Sequence, residues 1–234
     1  MGYAVVARYP KSELEPNSMF DDVTVIGAGR AGSAIASRLR ERGIPVRENG
    51  ALRLLCVPDR AIAEVAGSIE PGPWVAHVSG GTPLAALDPH VLRFSVHPLQ
   101  TLTLARGPEQ LDGAWAAVTA ETDEAHARAL WLAETLGLHP FELADARRAS
   151  YHAGASIASN FLVTLYRAAS QLFEEAGAPP EALVPLMTRT IENRFELTGP
   201  IARGDWETVE RHRAALNGSG FEAAYEALAE VTRA

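Results

Sequence analysis

The sequence contains very little lysine and cysteine. Lys11 is the only lysine and stands in a polar segment next to proline, so catalysis by lysine is not expected. Cys56 is the only cysteine, which excludes an intramolecular disulfide. Its position in the apolar run "LRLLCVP" favours a buried, inert thiol in a reducing compartment.

Long hydrophobic runs and basic runs are also missing. No apolar run reaches the ~18 residues that cross a bilayer, and the N-terminal segment lacks the pattern of a signal peptide. The net charge is −8 and the pI is about 5.4, so nucleic acids and anionic membranes are not expected partners. We expect a cytoplasmic protein that binds a small molecule.

The sequence does contain a repeated alternation of short strands and helices. Val23–Ile26 is a β-branched run, followed by "GAGRAG" and by a helical pattern over residues 31–42. Similar units recur to about residue 144, which predicts an α/β fold with a mostly parallel sheet and helices on both faces. Only helical patterns follow, the first of them long, over residues 151–176. The predicted domains are an N-terminal extension, 1–20, with Met19 as an alternative start, a Rossmann-like domain, 21–144, and an all-helical domain, 145–234.

The glycine-rich turn matches the dinucleotide-binding pattern G-x-G-x-x-G. Gly27 would make the tight turn, Gly29 would let a pyrophosphate approach the backbone, and Gly32 would let helix and strand pack closely. The alternative is that the glycines serve only the turn and the packing. The residues predicted to bind the cofactor are Gly27, Gly29, Arg30, Ala31, Gly32, Pro58 and Ser79.

The segment after this unit is too short for a complete dinucleotide-binding fold. Parallel neighbouring strands need a crossover of about a dozen residues, and residues 46–52 cannot provide one. Either an antiparallel hairpin turns at Asn49-Gly50, or one strand and its helix are deleted. Both shorten the wall that holds the adenosine ribose. Arg30, Arg47 and Arg53 are candidates to bind a 2′-phosphate, which favours NADP over NAD; ordinary solvated arginines are the alternative.

Six motifs spread from Val23 onwards carry a family resemblance: "VIGAGRAGSAIA", "CVPDRAIAEVA", "HVSGG", "SVHPLQT", "YHAGASIASNFLVTL" and "LTGPIARGD". With these the chain resembles the Rossmann-like family that carries the domain of unknown function 2520, within the pyrroline-5-carboxylate reductase-like and 6-phosphogluconate dehydrogenase-like oxidoreductases. The resemblance implies an NAD(P)-binding domain, a helical domain similar to the 6-phosphogluconate dehydrogenase C-terminal domain that often dimerises, and an active site in the cleft between them. The shortened second-strand region departs from this pattern.

Four residues are candidates for the chemistry. His97 ends a predicted strand, where ligands of open α/β sheets bind, and prephenate dehydrogenases have a similar His-Pro there; the alternative is a histidine that fastens the turn. His152, Ser156 and Asn160 follow helical spacing and would share one face. In the related hydroxyacid dehydrogenases, a Gly-x-x-x-Lys-x-x-x-Asn helix has lysine where Ser156 stands and asparagine where Asn160 stands. His152 would then donate the proton, unless this face is a helix contact within a dimer.

The motif "TGPIARGD" adds candidates for substrate binding. Arg203 could bind a substrate carboxylate bidentately, with Thr198 in the same pocket; a structural loop with an Arg203–Asp205 interaction is the alternative. His77 could adjoin the cofactor or be a satisfied histidine at a strand end. No metal site is predicted, because the remaining histidines have no partners at ligand spacing: His90, His126, His139 and His212.

Three functions remain open from the sequence. The first is an NADP-dependent oxidoreductase that reduces a small carboxylate-bearing oxo acid or imine. The second is a non-catalytic binding or regulatory protein that has lost full dinucleotide binding, and the third is a dimeric scaffold. The stretch "ASIASNFLVTLYRAA" is apolar around much of its helical circumference, which predicts a homodimer through the helical domain.

Overall fold

The computed structural model describes residues 19–233. Within these residues the chain forms two compact units, the first ending at Ser156 and the second beginning at Ile157. Most of the predicted N-terminal extension lies outside the described residues. Phe20, at its end, is buried among Trp74, Phe94 and Trp131 in the core of the first unit.

The first unit is built on a six-stranded sheet in the order β1-β2-β3-β4-β5-β6. Only β4 and β5 pair antiparallel; the other four neighbouring pairs are parallel. The predicted α/β fold with a mostly parallel sheet is therefore confirmed. The strands are β1, Val23–Ile26, β2, Leu52–Leu55, β3, Trp74–His77, β4, Arg93–Leu99, β5, Trp115–Ala120, and β6, His139–Glu142.

Helices cover both faces of this sheet because apolar residues recur on one side of each helix. One face carries the larger core, to which α1 and α3 contribute, and the other carries a smaller core around Leu55, Ile62 and Leu84. Thr122 caps α3, accepting a hydrogen bond from the backbone N–H of Ala125 at 3.1 Å. The helices of this unit are α1, Arg30–Glu41, α2, Ile62–Gly67, α3, Asp123–Thr135, and α4, Arg148–Ser156.

The shortened region after α1 is a deletion, so the hairpin alternative is wrong. Val46 makes an isolated parallel bridge with Val23 on the edge of β1 opposite β2. The chain then passes to the other edge through Gly50, where an added Cβ would lie 2.7 Å from the backbone carbon of Val23. Glycine is needed because the two backbones nearly touch. One bridge thus replaces a full strand and its crossover helix.

Arg53 and Cys56 belong to this part of the core. The Arg53 guanidinium donates to the Thr24 hydroxyl at 2.6 Å and to the Glu48 carbonyl at 3.1 Å, so it fastens the shortened segment. This contact supports a structural role over 2′-phosphate binding for Arg53. Cys56 is buried, and burial raises the pKa of its thiol to about 12, which keeps the thiol protonated and inert as predicted.

The second unit contains helices, but the long helix predicted over residues 151–176 is interrupted. A π-helical segment, Ile157–Phe161, separates α4 from α5. The predicted cap of a later helix is confirmed, because the Asp205 carboxylate accepts a hydrogen bond from the Thr208 N–H. Among the described residues no helix is long and apolar enough to cross a membrane. The helices are α5, Leu162–Glu175, α6, Leu183–Glu192, α7, Trp206–Leu216, and α8, Glu222–Arg233.

Candidate functional site

The carboxyl ends of β1 to β4 lie along one edge of the sheet, because these four strands run in the same direction. The glycine-rich turn follows β1, and Pro58 follows β2. Ser79 follows β3, and His97 lies near the end of β4. Ligands of open α/β sheets bind outside this edge. Four predicted site residues or segments of the first unit therefore lie along one edge of the sheet, and His152 approaches this edge from α4.

Two glycines of the turn are required by the fold itself. Gly27 has a φ of 113°, and an added Cβ would lie 2.5 Å from the Cys56 carbonyl oxygen. An added Cβ on Gly32 would lie 1.8 Å from the Gly27 carbonyl oxygen. Both residues therefore make the tight turn and the close packing that the motif predicts.

Gly29 is different, because nothing in the fold requires it to be glycine. Its φ is −75°, and no atom lies within 4 Å of an added Cβ. Gly29 precedes α1, whose N terminus has no side-chain cap and no acidic residue in its first turn. The first N–H groups of a helix have no acceptor within the helix. The missing side chain leaves open space in front of them, which suits the close approach of a phosphate.

Two of the arginines predicted to bind a 2′-phosphate are exposed on the protein surface. Arg30 is exposed and lines a cavity of about 80 Å³ with Ser33, Arg106 and neighbouring residues, while Ala31 is half-buried beside it. Arg47 is exposed where the chain leaves the isolated bridge. Arg30 and Arg47 make no side-chain hydrogen bond or ion pair with any residue in the range 19–233.

The loop after β3 is held by a buried arginine. The Arg148 guanidinium, 2% exposed, contacts the Asp145 carboxylate at 2.7 Å and the Ser79 carbonyl at 3.0 Å, and also donates to the Ser95 hydroxyl. The Ser79 hydroxyl accepts the N–H groups of the next loop residues, Gly81 and Thr82. Ser79 is therefore engaged in shaping the loop, and its predicted contact with a cofactor stays a prediction.

His97 and His152 come together over this loop. Their ring centroids are 6.1 Å apart and the rings are nearly perpendicular. An added Cβ on Gly80 would lie 2.9 Å from Nε2 of His97, and one on Gly81 would lie 3.0 Å from Nδ1 of His152. The two glycines allow both imidazoles to rest on the loop backbone. On its other side His97 contacts Tyr151, with Nδ1 2.7 Å from the phenol oxygen.

Burial strongly perturbs the titratable groups around this cluster. It lowers the pKa of His97 to about 4, and electrostatic interactions with His152 and Arg148 act in the same direction. It lowers the pKa of His77 to about 3, with Arg148 again contributing. Burial raises the pKa of Tyr151 to about 12. At neutral pH both His77 and His97 are therefore uncharged imidazoles, and Tyr151 keeps its proton.

His77 agrees only in part with the alternative of a satisfied histidine at a strand end. It is fully buried, and its Nδ1 accepts the Ser79 N–H at 3.2 Å, as a histidine that fastens a strand end would do. Its Nε2 is buried without a hydrogen-bond partner among the described residues. The contact with Ser79 assigns the proton to this Nε2.

The remaining predicted site residues lie at or beyond the boundary of the first unit. Ser156 is the last residue of α4, whereas Asn160 is exposed in the π-helical segment, where the spacing of an α-helix no longer applies. Arg203 and Thr198 do come together: the guanidinium donates to the Thr198 carbonyl at 2.6 Å. Their roles toward a substrate stay predictions.

Sequence reasoning missed Tyr151, Arg148 and Asp145. Tyr151 directly precedes His152 in the motif "YHAGASIASN", and this position beside a predicted site residue is the sequence feature that could have identified it. Arg148 and Asp145 belong to a polar run without a recognisable motif. Of the other histidines, the His90 ring contacts the Ala66 carbonyl and the His212 ring contacts the Tyr225 hydroxyl. Among the described residues no group of three metal-ligating side chains is arranged around a common point.

Comparison with solved structures identifies the fold. A proposed NADP oxidoreductase of Bacteroides fragilis is 22% identical, with a TM-score of 0.78 over 91% of this chain and 98% of that one. Protein TM1727 of Thermotoga maritima is 23% identical, with a TM-score of 0.73 over 90% and 96%. A 1-pyrroline-5-carboxylate reductase of Streptococcus pyogenes is 14% identical, with a TM-score of 0.58 over 91% and 98%. These likenesses show a common Rossmann-like fold with a helical C-terminal part.

Comparison of the sequence itself gives one family. A search of curated proteins found no match. Residues 114–232 match the family described as a domain of unknown function, DUF2520. Because this match covers more than half of the 234 residues, the chain belongs to the DUF2520 family, as its motifs predicted.

Proposed function

We propose that this protein is an NAD(P)-dependent oxidoreductase that reduces a small carboxylate-bearing oxo acid or imine. The observation that carries the proposal is Gly29: the fold does not need a glycine there, and the space it leaves lies in front of free N–H groups of α1. A pyrophosphate bound there would interact with the positive end of the helix dipole. Similarity of fold to a proposed NADP oxidoreductase and to a pyrroline-carboxylate reductase supports the same reading.

Residues of the first unit would bind different parts of the cofactor and the substrate along the edge of the sheet. The turn at Gly27–Gly32 would hold the pyrophosphate, and Arg30 and Arg47, both exposed and unpaired within the described residues, would bind a 2′-phosphate. For this reason NADP is preferred over NAD. When bound, the reduced nicotinamide supplies a hydride. His97 and His152 would contact the group that is reduced, and His152 would provide the proton.

Residues near and beyond Ser156 would contribute to substrate binding. Asn160 would orient it, and Arg203 with Thr198 would bind its carboxylate. The exposed apolar side chains of the second unit support a homodimer: Ile157, Phe161, Leu162, Val163 and Leu165 are between 41% and 59% exposed. Light scattering after size exclusion should give twice the monomer mass at micromolar concentration, and a monomer would contradict this part of the proposal.

Titration with NADPH and NADH by calorimetry tests the cofactor. Wild-type protein should bind NADPH with micromolar affinity. Gly29→Val should weaken binding at least about tenfold, equivalent to about 1.4 kcal/mol, because its side chain fills the approach to α1. Gly67→Val is the matched control, since an added Cβ at Gly67 also meets nothing within 4 Å but lies away from the turn. Equal loss in both variants, or no binding of either nucleotide at millimolar concentration, would overturn the proposal.

A second function is favoured by the shortened edge of β1. A single bridge at Val46 stands where the dinucleotide-binding fold has a strand and a helix, so part of the adenosine wall is missing. A protein of this kind would bind another phosphate- or carboxylate-bearing ligand without chemistry. Absence of nucleotide binding in the titration would select this function, and saturable NADPH binding would exclude it.

A further inference from the structure

The contact between Tyr151 and His97 goes beyond what the family resemblance assigns. Tyr151 lies on α4 and His97 near the end of β4, and the two rings meet edge to face with centroids 5.5 Å apart. The phenol oxygen is 2.7 Å from Nδ1 of His97. On the opposite side of the imidazole, Nε2 makes no hydrogen bond within residues 19–233. His97 therefore has one nitrogen fixed and one available.

The direction of this hydrogen bond follows from the protons that the two groups carry. The Tyr151 hydroxyl has no other hydrogen-bond partner in the described part of the chain, so accepting from His97 would leave its own proton unused. A neutral imidazole carries one N–H and one acceptor nitrogen. The phenol therefore donates to Nδ1, and the imidazole proton stays on Nε2.

We propose that Tyr151 is a positioning residue that keeps His97 in the Nε2–H form, so that this N–H binds the carbonyl oxygen of the substrate. The inference rests on the proposed oxidoreductase function and specifies how its site works. If a bound reduced nicotinamide gave a hydride to the carbonyl carbon and was itself oxidised, the C=O π bond would become a C–O single bond and negative charge would develop on the oxygen. The neutral N–H stabilises that charge, as a fixed donor does in an oxyanion site. The oxygen would then take its proton from His152, and His97 would keep its own.

The charges around His97 agree with a neutral donor. The buried Arg148 guanidinium and His152 both disfavour a positive charge on the ring, whereas Asp59 favours it more weakly. Burial, with smaller contributions from His152 and Arg148, lowers the pKa of His97 to about 4, so an imidazolium is rare at neutral pH. A protonated imine would also be repelled by the Arg148 guanidinium, and its nitrogen has no lone pair to accept a hydrogen bond from Nε2–H. Of the two substrate classes in the proposed function, the site therefore favours the oxo acid.

Nitrogen-15 NMR of histidine-labelled protein tests the tautomer without cofactor or substrate. The wild-type spectrum should place the His97 proton on Nε2, and Tyr151→Phe should convert that signal to a mixture of both tautomers. Tyr225→Phe is the matched control, because its hydroxyl lies 2.8 Å from Nδ1 of His212 and should alter only that histidine. A wild-type proton on Nδ1, or an unchanged His97 signal in Tyr151→Phe, would overturn the proposal.

Kinetics with NADPH and a panel of small oxo acids tests the consequence. Tyr151→Phe should lower kcat about tenfold or more while KM changes less than about twofold, because the lost interaction belongs to the transition state. An unchanged kcat would refute the role of Tyr151. Failure of the wild-type protein to bind NADPH would instead overturn the proposed function and the carbonyl contact with it, while the spectra of His97 would still decide whether Tyr151 sets its tautomer.

Discussion

The uncharged state of His97 predicts how the stability of the first unit depends on pH. In the unfolded chain this imidazole has a pKa near 6.5, and in the folded protein burial lowers it to about 4. The unfolded state therefore binds more protons between these values, and folding stability falls as the pH falls through this range. Between pH 7 and pH 5 the contribution of His97 should drop by about 2 kcal/mol.

The comparison of wild type with His97→Asn isolates this contribution. Asparagine cannot titrate, yet its side-chain oxygen could still accept the Tyr151 hydroxyl, and the many carboxylates that also titrate cancel in the difference. Urea unfolding is measured at several pH values by tryptophan fluorescence, with Trp74 and Trp131 in the core of the first unit. The wild type should lose about 2 kcal/mol more than the variant over this range. Parallel pH profiles would refute the reasoning, since His97 would then not be held neutral by the fold.

Three further predictions concern stability and are measured by urea unfolding. Arg148→Met should destabilise the first unit by about 3–5 kcal/mol, because it leaves buried partners such as the Ser95 hydroxyl unpaired; a loss below about 1 kcal/mol would contradict a role in holding the loop. Gly50→Ala should cost about 1–3 kcal/mol by overpacking against the backbone of β1, and an unchanged midpoint would contradict the close crossing. Thr122→Ala should cost about 1 kcal/mol through the lost cap of α3, whereas Thr101→Ala, on an exposed loop, should cost less than about 0.5 kcal/mol.

Local patterns predicted much of the fold. The β-branched run Val23–Ile26 is β1, and the glycine turn and α1 follow it, because strand, turn and helix signals here agree over a few neighbouring residues. The position of His97 near a strand end also followed from local pattern. These features depend on residues that are close in sequence, which is where propensity and spacing are informative.

The parts that local patterns missed depend on contacts between distant residues. Tyr151 and His97 are 54 positions apart, and Arg148 and Ser79 are 69 apart; these contacts exist only because α4 packs across the ends of β3 and β4. The dipeptide Asn49-Gly50 fits a hairpin turn equally well, but its glycine is needed for the crossing of β1. The π-helical segment, Ile157–Phe161, contains no proline or glycine, so composition gave no sign of an interruption.

The deletion next to β1 and the cluster around His97 affect different ends of a bound dinucleotide. The deletion removes a strand and a helix from the edge of the sheet beyond β1, on the side where the adenosine ribose binds in this fold. The carboxyl ends of β1 to β4 remain adjacent and parallel, so the phosphate turn and the histidine cluster keep their places along one edge. A shortened adenosine wall would therefore weaken affinity and the choice between NAD and NADP before it affected the position of the reacting groups.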